Sequence, residues 1–470
     1  MKNKNPVLKL SICVTTGVFL WLLSPYIDIP EKGWYVFSVF FTVILSFILK
    51  PYPMGMMVLM GLITLSATNT ITMDEALSGY ADTTVWLVVA AFLIAGGIIS
   101  SGIGKRIALQ LISWFGKSML GLAYSICGAE LILGPVVPSN TARGGGIIAP
   151  IVNSISHSLN SSSDKNPEKA GRFLTLVGAH ANLITAAMFL TGMAANPLVA
   201  KAINDNFGIS FDWGTWALGA IIPGIIGLLL LPIVIYQISK PTLKDTSSAQ
   251  KKANAELKNM GEKLNRNEWV MLIIMMLLLL LWSTKFLHGM STTLVAWMGV
   301  MVMLITSIQK WTDIINNTKA WDTLIWLGGL LTMASMLKNY GFIDWVVIHF
   351  QDWVLGYNGL TTIILLGLIY FYSMYMFSML TAHIFAMVSI FLGLTITLDT
   401  EPILTAGIFA YFSCLCGCLT YYSTGPVIIY FGLGYVSSAK WFTTGFIISL
   451  FHLIIWLGIG LIWWKLIGWW

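Results

Sequence analysis

Gly134-Pro135-Val136-Val137-Pro138-Ser139-Asn140-Thr141-Ala142-Arg143-Gly144-Gly145-Gly146 interrupts an apolar block that runs from about residue 119 to 157. Pro135 and Pro138 lack an amide donor and disfavour helix before them, so they end a first arm. Ser139, Asn140 and Thr141 are suited to cap a second arm. The tip between the arms therefore presents free amides and a helix N-terminus, both attractive to an anion. A second apolar block, about 358–397, breaks at Ser378-Met379-Leu380-Thr381-Ala382-His383. In lipid, irregular backbone is tolerated only where it is buried in protein or lines a cavity. Both blocks read as re-entrant helical hairpins in an all-α integral membrane protein.

Composition supports that class. The 470 residues are 57% hydrophobic and 10% charged, with a mean hydropathy of +0.80. A soluble domain carries roughly 25% charged residues. Apolar runs of about 20 residues are long enough to cross a hydrocarbon core of about 30 Å as helix. Twenty Trp and 16 Tyr suit aromatic belts at the two interfaces. The net charge of +6 does not signal nucleic acid, because the basic residues lie in loops between spans. No His-Glu-x-x-His, Walker loop or Gly-x-Ser-x-Gly occurs, so an enzyme is not expected, nor a cofactor. Cys13, Cys127, Cys414, Cys416 and Cys418 sit in apolar segments and read as free thiols, not as a metal site. The first apolar block follows Lys2, Lys4 and Lys9, lacks a small-x-small cleavage site, and reads as an uncleaved span in a bacterial inner (plasma) membrane.

Eleven crossings are expected: about 7–28, 33–49, 54–70, 83–101, 173–200, 214–239, 268–286, 290–309, 322–338, 403–436 and 441–464. With both hairpins re-entrant and the N-terminus cytoplasmic, twenty Lys and Arg fall inside. Five fall outside: Lys32, Lys201, Lys285, Lys338 and Lys465. That is a strong positive-inside bias, and it places the C-terminus externally. The chain divides into an N-terminal span at 1–32, a first repeat at 33–239 and a second at 268–470. The first repeat holds hairpin 119–157 and broken helix 173–200; the second holds hairpin 358–397 and broken helix 403–436. A basic cytoplasmic linker, 240–267, separates them.

The halves look related. Asp82-Thr83-Thr84-Val85-Trp86-Leu87 matches Asp322-Thr323-Leu324-Ile325-Trp326-Leu327 at an offset of 240, and Thr141-Ala142 matches Thr381-Ala382 at the same offset. Amphipathic stretches, 104–118 and 342–355, follow the first match and suit the membrane interface. Two broken crossings accompany the tips. One carries His180, Asn182, Thr185 and Thr191-Gly192-Met193-Ala194-Ala195-Asn196-Pro197; the other carries Tyr421-Tyr422-Ser423-Thr424-Gly425-Pro426. Inverted repeats with broken helices are the architecture of secondary transporters, which hold their solute near the midplane.

Arg143 and His383 each follow a Thr-Ala at a tip. A permanently charged Arg at mid-bilayer costs roughly 2.5–3.5 kcal/mol on insertion scales, so it is kept for a partner. One reading makes it the positive field for a bound anion; the other pairs it with Glu130. Counting along straight arms puts Glu130 about 7 Å away in height, which weighs against direct pairing. His383 has the same two readings, with a backbone carbonyl as the structural partner. His180 is a weaker candidate of the same kind.

At these residues the chain resembles the divalent anion/sodium symporter family (the DASS or INDY-type carriers). Ser139-Asn140-Thr141, Ser423-Thr424-Gly425-Pro426 and Ile429-Tyr430-Phe431-Gly432-Leu433-Gly434-Tyr435 carry the likeness, from about Pro53 to Trp470. Within the family it looks most like the 2-oxoglutarate/malate translocators and the citrate and tartrate antiporters. The resemblance implies an elevator mechanism, a homodimer, and tips that contact substrate carboxylates. That role carries to Ser139, Asn140 and Thr141 and, at the second tip, to Thr381. Met379 and Leu380 stand there where Ser and Asn are expected. Thr424, Gly425 and Pro426 complete the expected substrate site, with Asn182, Thr191, Gly192, Ser378 and Ser423 nearby. Because one tip has lost its oxygens and a cation stands beside each, Arg143 and His383 are expected to compensate charge in place of sodium. Sodium-independent exchange of C4–C5 dicarboxylates follows. The alternative is a sodium-coupled dicarboxylate or citrate symporter.

Overall fold

The computed structural model describes residues 5–354, 359–396 and 401–470, with side chains of 351–354 left aside. Every regular element among them is helical; the one β-type pairing is an isolated bridge between Ser118 and Asp245. Lys2, Lys4 and the ends of the second hairpin at 358 and 397 lie outside the described residues.

Eight of the described helices are long and apolar enough to cross a membrane. They are Glu31–Leu49, Thr83–Ser101, Trp213–Ile238, Arg266–Ser283, Thr318–Asn339, Gly359–Met376, Pro402–Leu419 and Ser438–Leu466. The eleven expected crossings map onto these less simply than hydropathy suggests. Pro6–Leu22, Met54–Ala67 and Thr292–Ile305 are shorter apolar helices. At 1.5 Å per residue a 14-residue helix spans only about 21 Å. The expected crossing at 173–200 is two helices, Gly171–Met188 and Asn196–Phe207, with a single 3-10 turn at Leu190–Gly192 between them.

Local chemistry sets the boundaries. Asp82 accepts from the Thr84 amide at the start of Thr83–Ser101, Asp212 from Thr215, and Asn265 with Glu268 forms a capping box. Each satisfies amides that the first turn leaves unpaired. Gly102 (φ +81°) and Gly341 (φ +77°) each separate a long apolar helix from an amphipathic one, Ile103–Phe115 or Phe342–Val354. A left-handed residue there turns the chain sharply into the interface, and only glycine adopts it without strain.

The basic segment 240–267 is more than a tether. Its helix Ser247–Asn259 lies along Ile103–Phe115, with Ala249 and Ala253 fully buried. Gln250 donates to the Ser113 carbonyl at 2.6 Å, Lys105 pairs with Glu256 at 2.8 Å, and Lys252 donates to the Ser154 carbonyl at 3.1 Å. At its end Arg106 grips Glu268 at 2.7 Å and the carbonyls of Met260 and Gly261. The strap thus ties the first amphipathic helix to the second arm of the first hairpin, Ala149–Ser158.

Candidate functional site

The first hairpin folds back through Gly134, whose amide bonds the Glu130 carbonyl at 2.8 Å, and through Val136 and Val137, which both bond the Leu133 carbonyl. Ser139 Oγ then accepts from the Ala142 amide at 3.2 Å, the cap its sequence suggests. The second arm begins as a π-helix, Thr141–Ile148. Its i→i+5 closure makes a wider turn than a straight α-helical arm.

That turn corrects the expectation for Arg143. The guanidinium is fully buried and its Nε meets Glu130 Oε2 at 2.6 Å. One terminal nitrogen donates to the carbonyls of Val137 (2.9 Å) and Gly192 (3.1 Å); the other reaches Thr185 Oγ1 (3.1 Å) and the Asn182 carbonyl (3.4 Å). Asn182 Nδ2 in turn donates to Glu130 and to the Asn140 carbonyl, and Thr185 Oγ1 reaches Glu130 at 3.2 Å. The height of about 7 Å counted along straight arms misses because the arm is wound as π-helix and the long side chain spans the remaining gap. Arg143 therefore offers no free field to an anion: Glu130 neutralises it. Its remaining donors fill a cage of carbonyls drawn from the hairpin tip and the broken helix.

His383 behaves the same way on a smaller scale. It is fully buried, its Nε2 lies 3.0 Å from the Tyr370 carbonyl and 2.8 Å from Ser373 Oγ, and its ring packs on Tyr370 and Phe377. The carbonyl reading, not the free cation, describes it here. The second tip starts its helix Leu380–Thr395 without a side-chain cap, since Met379 has no acceptor. The Ser423 carbonyl of the second break takes the Leu380 amide instead, at 2.8 Å.

The tips and breaks close on one another. A Cβ at Gly425 would collide with Thr141 Oγ1, and one at Gly144 would lie 2.6 Å from Asn182 Nδ2 and 3.1 Å from Pro426. These glycines are what allow the first tip to touch the second break. Ser423 Oγ bonds the Gly417 carbonyl at 2.5 Å, and Thr424 Oγ1 accepts from Val427, so both brace the break. Thr191 Oγ1 donates to the Pro135 carbonyl at 2.6 Å and accepts from Trp213; Gly192 serves through its carbonyl. Ser378 Oγ reaches the Phe47 carbonyl at 3.3 Å. Within this cluster the buried Asn140 Nδ2 has no partner among the described residues, and Thr141, Met379 and Thr381 are half-buried. Asn182 Oδ1, in the same cluster, is likewise buried without a partner among the described residues.

His180 is not brought to the tips. Two residues from Asn182 on one helix, it points to the opposite face and packs on Trp441, with ring centroids 6.2 Å apart. Sequence reasoning missed two partners. Tyr370 precedes His383 by 13 residues as Glu130 precedes Arg143, and its hydroxyl meets Ser413 Oγ at 2.7 Å as Glu130 meets Thr185. The offset of 240 would have found Tyr370; nothing in the sequence singles out Ser413. Among the described residues no three His, Cys, Asp or Glu converge as metal ligands, and all five cysteines are buried thiols.

Residues 4–470 match the sodium:sulfate symporter transmembrane region. YflS of Bacillus subtilis is 40% identical over 98% of this chain and 96% of its own length. Dicarboxylate transporter 1 of spinach chloroplasts is 37% identical over 97% of this chain and 81% of its length, and the Escherichia coli inner membrane protein YbhI is 33% identical over 99% of each. The fold is similar to that of the Alcanivorax borkumensis YdaH transporter, with a TM-score of 0.57 at 13% identity, over 86% of this chain and 89% of that one. A chain matched from end to end in this way belongs to the sodium:sulfate, or divalent anion/sodium, symporter family, and it is a multi-pass membrane transporter, not an enzyme.

Proposed function

We propose that this chain exchanges C4–C5 dicarboxylates such as 2-oxoglutarate, malate and succinate across a bacterial inner membrane without sodium, by an elevator movement of the hairpins and broken helices. The dicarboxylate class draws on spinach dicarboxylate transporter 1 and its Arabidopsis counterpart, each 37% identical to this chain. Asn140, Thr141 and Thr381 meet the carboxylates beside the two helix N-termini, where amide donors favour negative charge.

The observation that carries the sodium-independent reading is the seat of Arg143. Unwound carbonyls beside broken helices are where carriers of this architecture hold a coupling ion. Here the Val137 and Gly192 carbonyls are taken by a guanidinium that cannot dissociate. His383 takes the Tyr370 carbonyl at the second tip. With no ion to release, the carrier has one variable ligand, the dianion. Moving the empty site through the membrane would desolvate amide donors that nothing satisfies, which is costly. Loaded in either direction, those donors are paired. Exchange follows from that asymmetry.

Purified protein in liposomes tests this. Uptake of labelled succinate should need unlabelled dicarboxylate inside and be indifferent to replacing sodium by potassium. Sodium-driven uptake into empty liposomes would instead establish the coupled symport that the family description names.

A further inference from the structure

The end of the molecule that the charge asymmetry assigns to the outside has few cations, and those present are all engaged. Lys32 lies over the Tyr340 ring and Lys465 over the Trp470 ring. The other three join the segment after the first break to helices outside it. Lys201 Nζ lies 3.2 Å from Asp82, which caps Thr83–Ser101, and 3.4 Å from Asp205 on its own helix. Lys338, at the end of Thr318–Asn339, donates to the Asp205 carbonyl. Lys285 pairs with Asp212 at 3.2 Å.

Lys201 and Lys338 line one cavity, together with Leu198, Asp205, Ile384 and Ser389. It lies between Asn196–Phe207, Thr318–Asn339 and Leu380–Thr395. Two of its lining residues adjoin the candidate site along the chain: Leu198 follows Asn196-Pro197 of the first break, and Ile384 is one helical turn from Thr381. The cavity volume is about 50 Å³, room for one or two waters and too small for a dicarboxylate. Of its two lysines, Lys338 has no carboxylate partner among the described residues, and Lys201 is held by two protein carboxylates.

We propose that Lys201 and Lys338 form a capture site for an incoming external dianion, masked in this state by Asp82 and Asp205. This rests on the exchange reading above. When the broken segment moves away from Thr83–Ser101 and Thr318–Asn339, Lys201 loses Asp82 and Lys338 loses the Asp205 carbonyl. Two ammonium groups then face one widening cleft beside a single aspartate. Like charges lining a low-dielectric cleft concentrate counter-ions at its mouth. An external dicarboxylate competes with Asp82 for Lys201, so its arrival favours the opened state and delivers it towards Thr381.

The test is succinate exchange in right-side-out and inside-out vesicles, with half-saturation measured on each face. Lys201→Gln with Lys338→Gln should raise the external value about two- to fivefold, the range of a partly exposed ion pair, and leave the internal value unchanged. Asp82→Asn, which keeps the helix cap, should lower the external value. Lys201→Arg should behave as wild type. The unchanged internal face serves as the folding control. Shifts of the same sign in the lysine and aspartate variants, equal shifts on both faces, or no shift would each overturn the capture site. If wild type itself fails to exchange succinate, the exchange reading falls; if wild type exchanges and the variants match it, only the capture site falls.

Discussion

The two hairpins perform one structural task with different chemistry. In the first, Arg143 reaches back 13 residues to Glu130 and outward to carbonyls of both the tip and the broken helix. In the second, His383 reaches back 13 residues to the Tyr370 carbonyl and touches no carboxylate. In each hairpin the residue thus reached meets a hydroxyl of the broken helix: Glu130 accepts from Thr185 Oγ1, and the Tyr370 hydroxyl meets Ser413 Oγ. The first hairpin buries a full ion pair; the second buries a hydrogen-bonded imidazole among aromatics. A buried ion pair is fragile in one sense only: removing one member strands the other. The second hairpin has no such weakness.

That contrast can be broken most directly at Arg143. Arg143→Ala leaves Glu130 buried and uncompensated, at a cost of about 3–5 kcal/mol. Thermal unfolding in detergent should show a large loss of stability, and exchange in liposomes should vanish. Adding Glu130→Gln to Arg143→Met should recover most of the stability. A single Arg143→Ala variant with wild-type unfolding and exchange would remove the ion pair from its central place. Next in size is Gly144→Ala, whose Cβ would sit 2.6 Å from Asn182 Nδ2 and 2.9 Å from its Cγ. Overpacking of this kind costs about 1–3 kcal/mol, read in the same unfolding assay and as weaker substrate protection against heat.

His383→Gln should cost about 1 kcal/mol, the value of one hydrogen bond, because Tyr370's carbonyl still accepts from Ser373. Exchange should persist with reduced affinity. A loss as deep as that of Arg143→Ala would show that the two anchors carry equal weight. Smallest is Gly146→Ala. Its nearest neighbour would be Ile99 Cδ1 at 3.8 Å, so the change should be neutral or gain up to about 1 kcal/mol from a stiffer unfolded chain. A clear destabilisation would mean that the π-turn itself needs all three glycines.

Much of this is legible without coordinates. Pro135, Pro138 and Ser139 announce a broken, capped tip because their effects are local: a missing amide and a nearby hydroxyl. The match of Thr141-Ala142 with Thr381-Ala382 leads to Arg143 and His383 as paired positions. Reach is harder to read. Straight-helix counting sets Glu130 too far from Arg143, since Thr141–Ile148 is wound as a π-helix. His180 looks equivalent to Asn182 among the polar intramembrane residues, yet helical rotation sends it to the opposite face.

By itself the sequence determined the membrane class, the interruptions at 134–146 and 378–383, the basic character of 240–267 and the identity of the tip residues. Those depend on hydropathy, charge asymmetry and turn chemistry, all of which act over a few residues. The tertiary structure alone decided that Arg143 is neutralised by Glu130, that the second break's Ser423 carbonyl caps the second tip, and that Lys201, Lys285 and Lys338 bind the broken segment to its neighbours. Each of those is a contact between segments distant in sequence or wound in an unexpected register. Burial makes them matter: in a water-poor interior every charge and amide must find a partner, and which partner it finds is a question of packing.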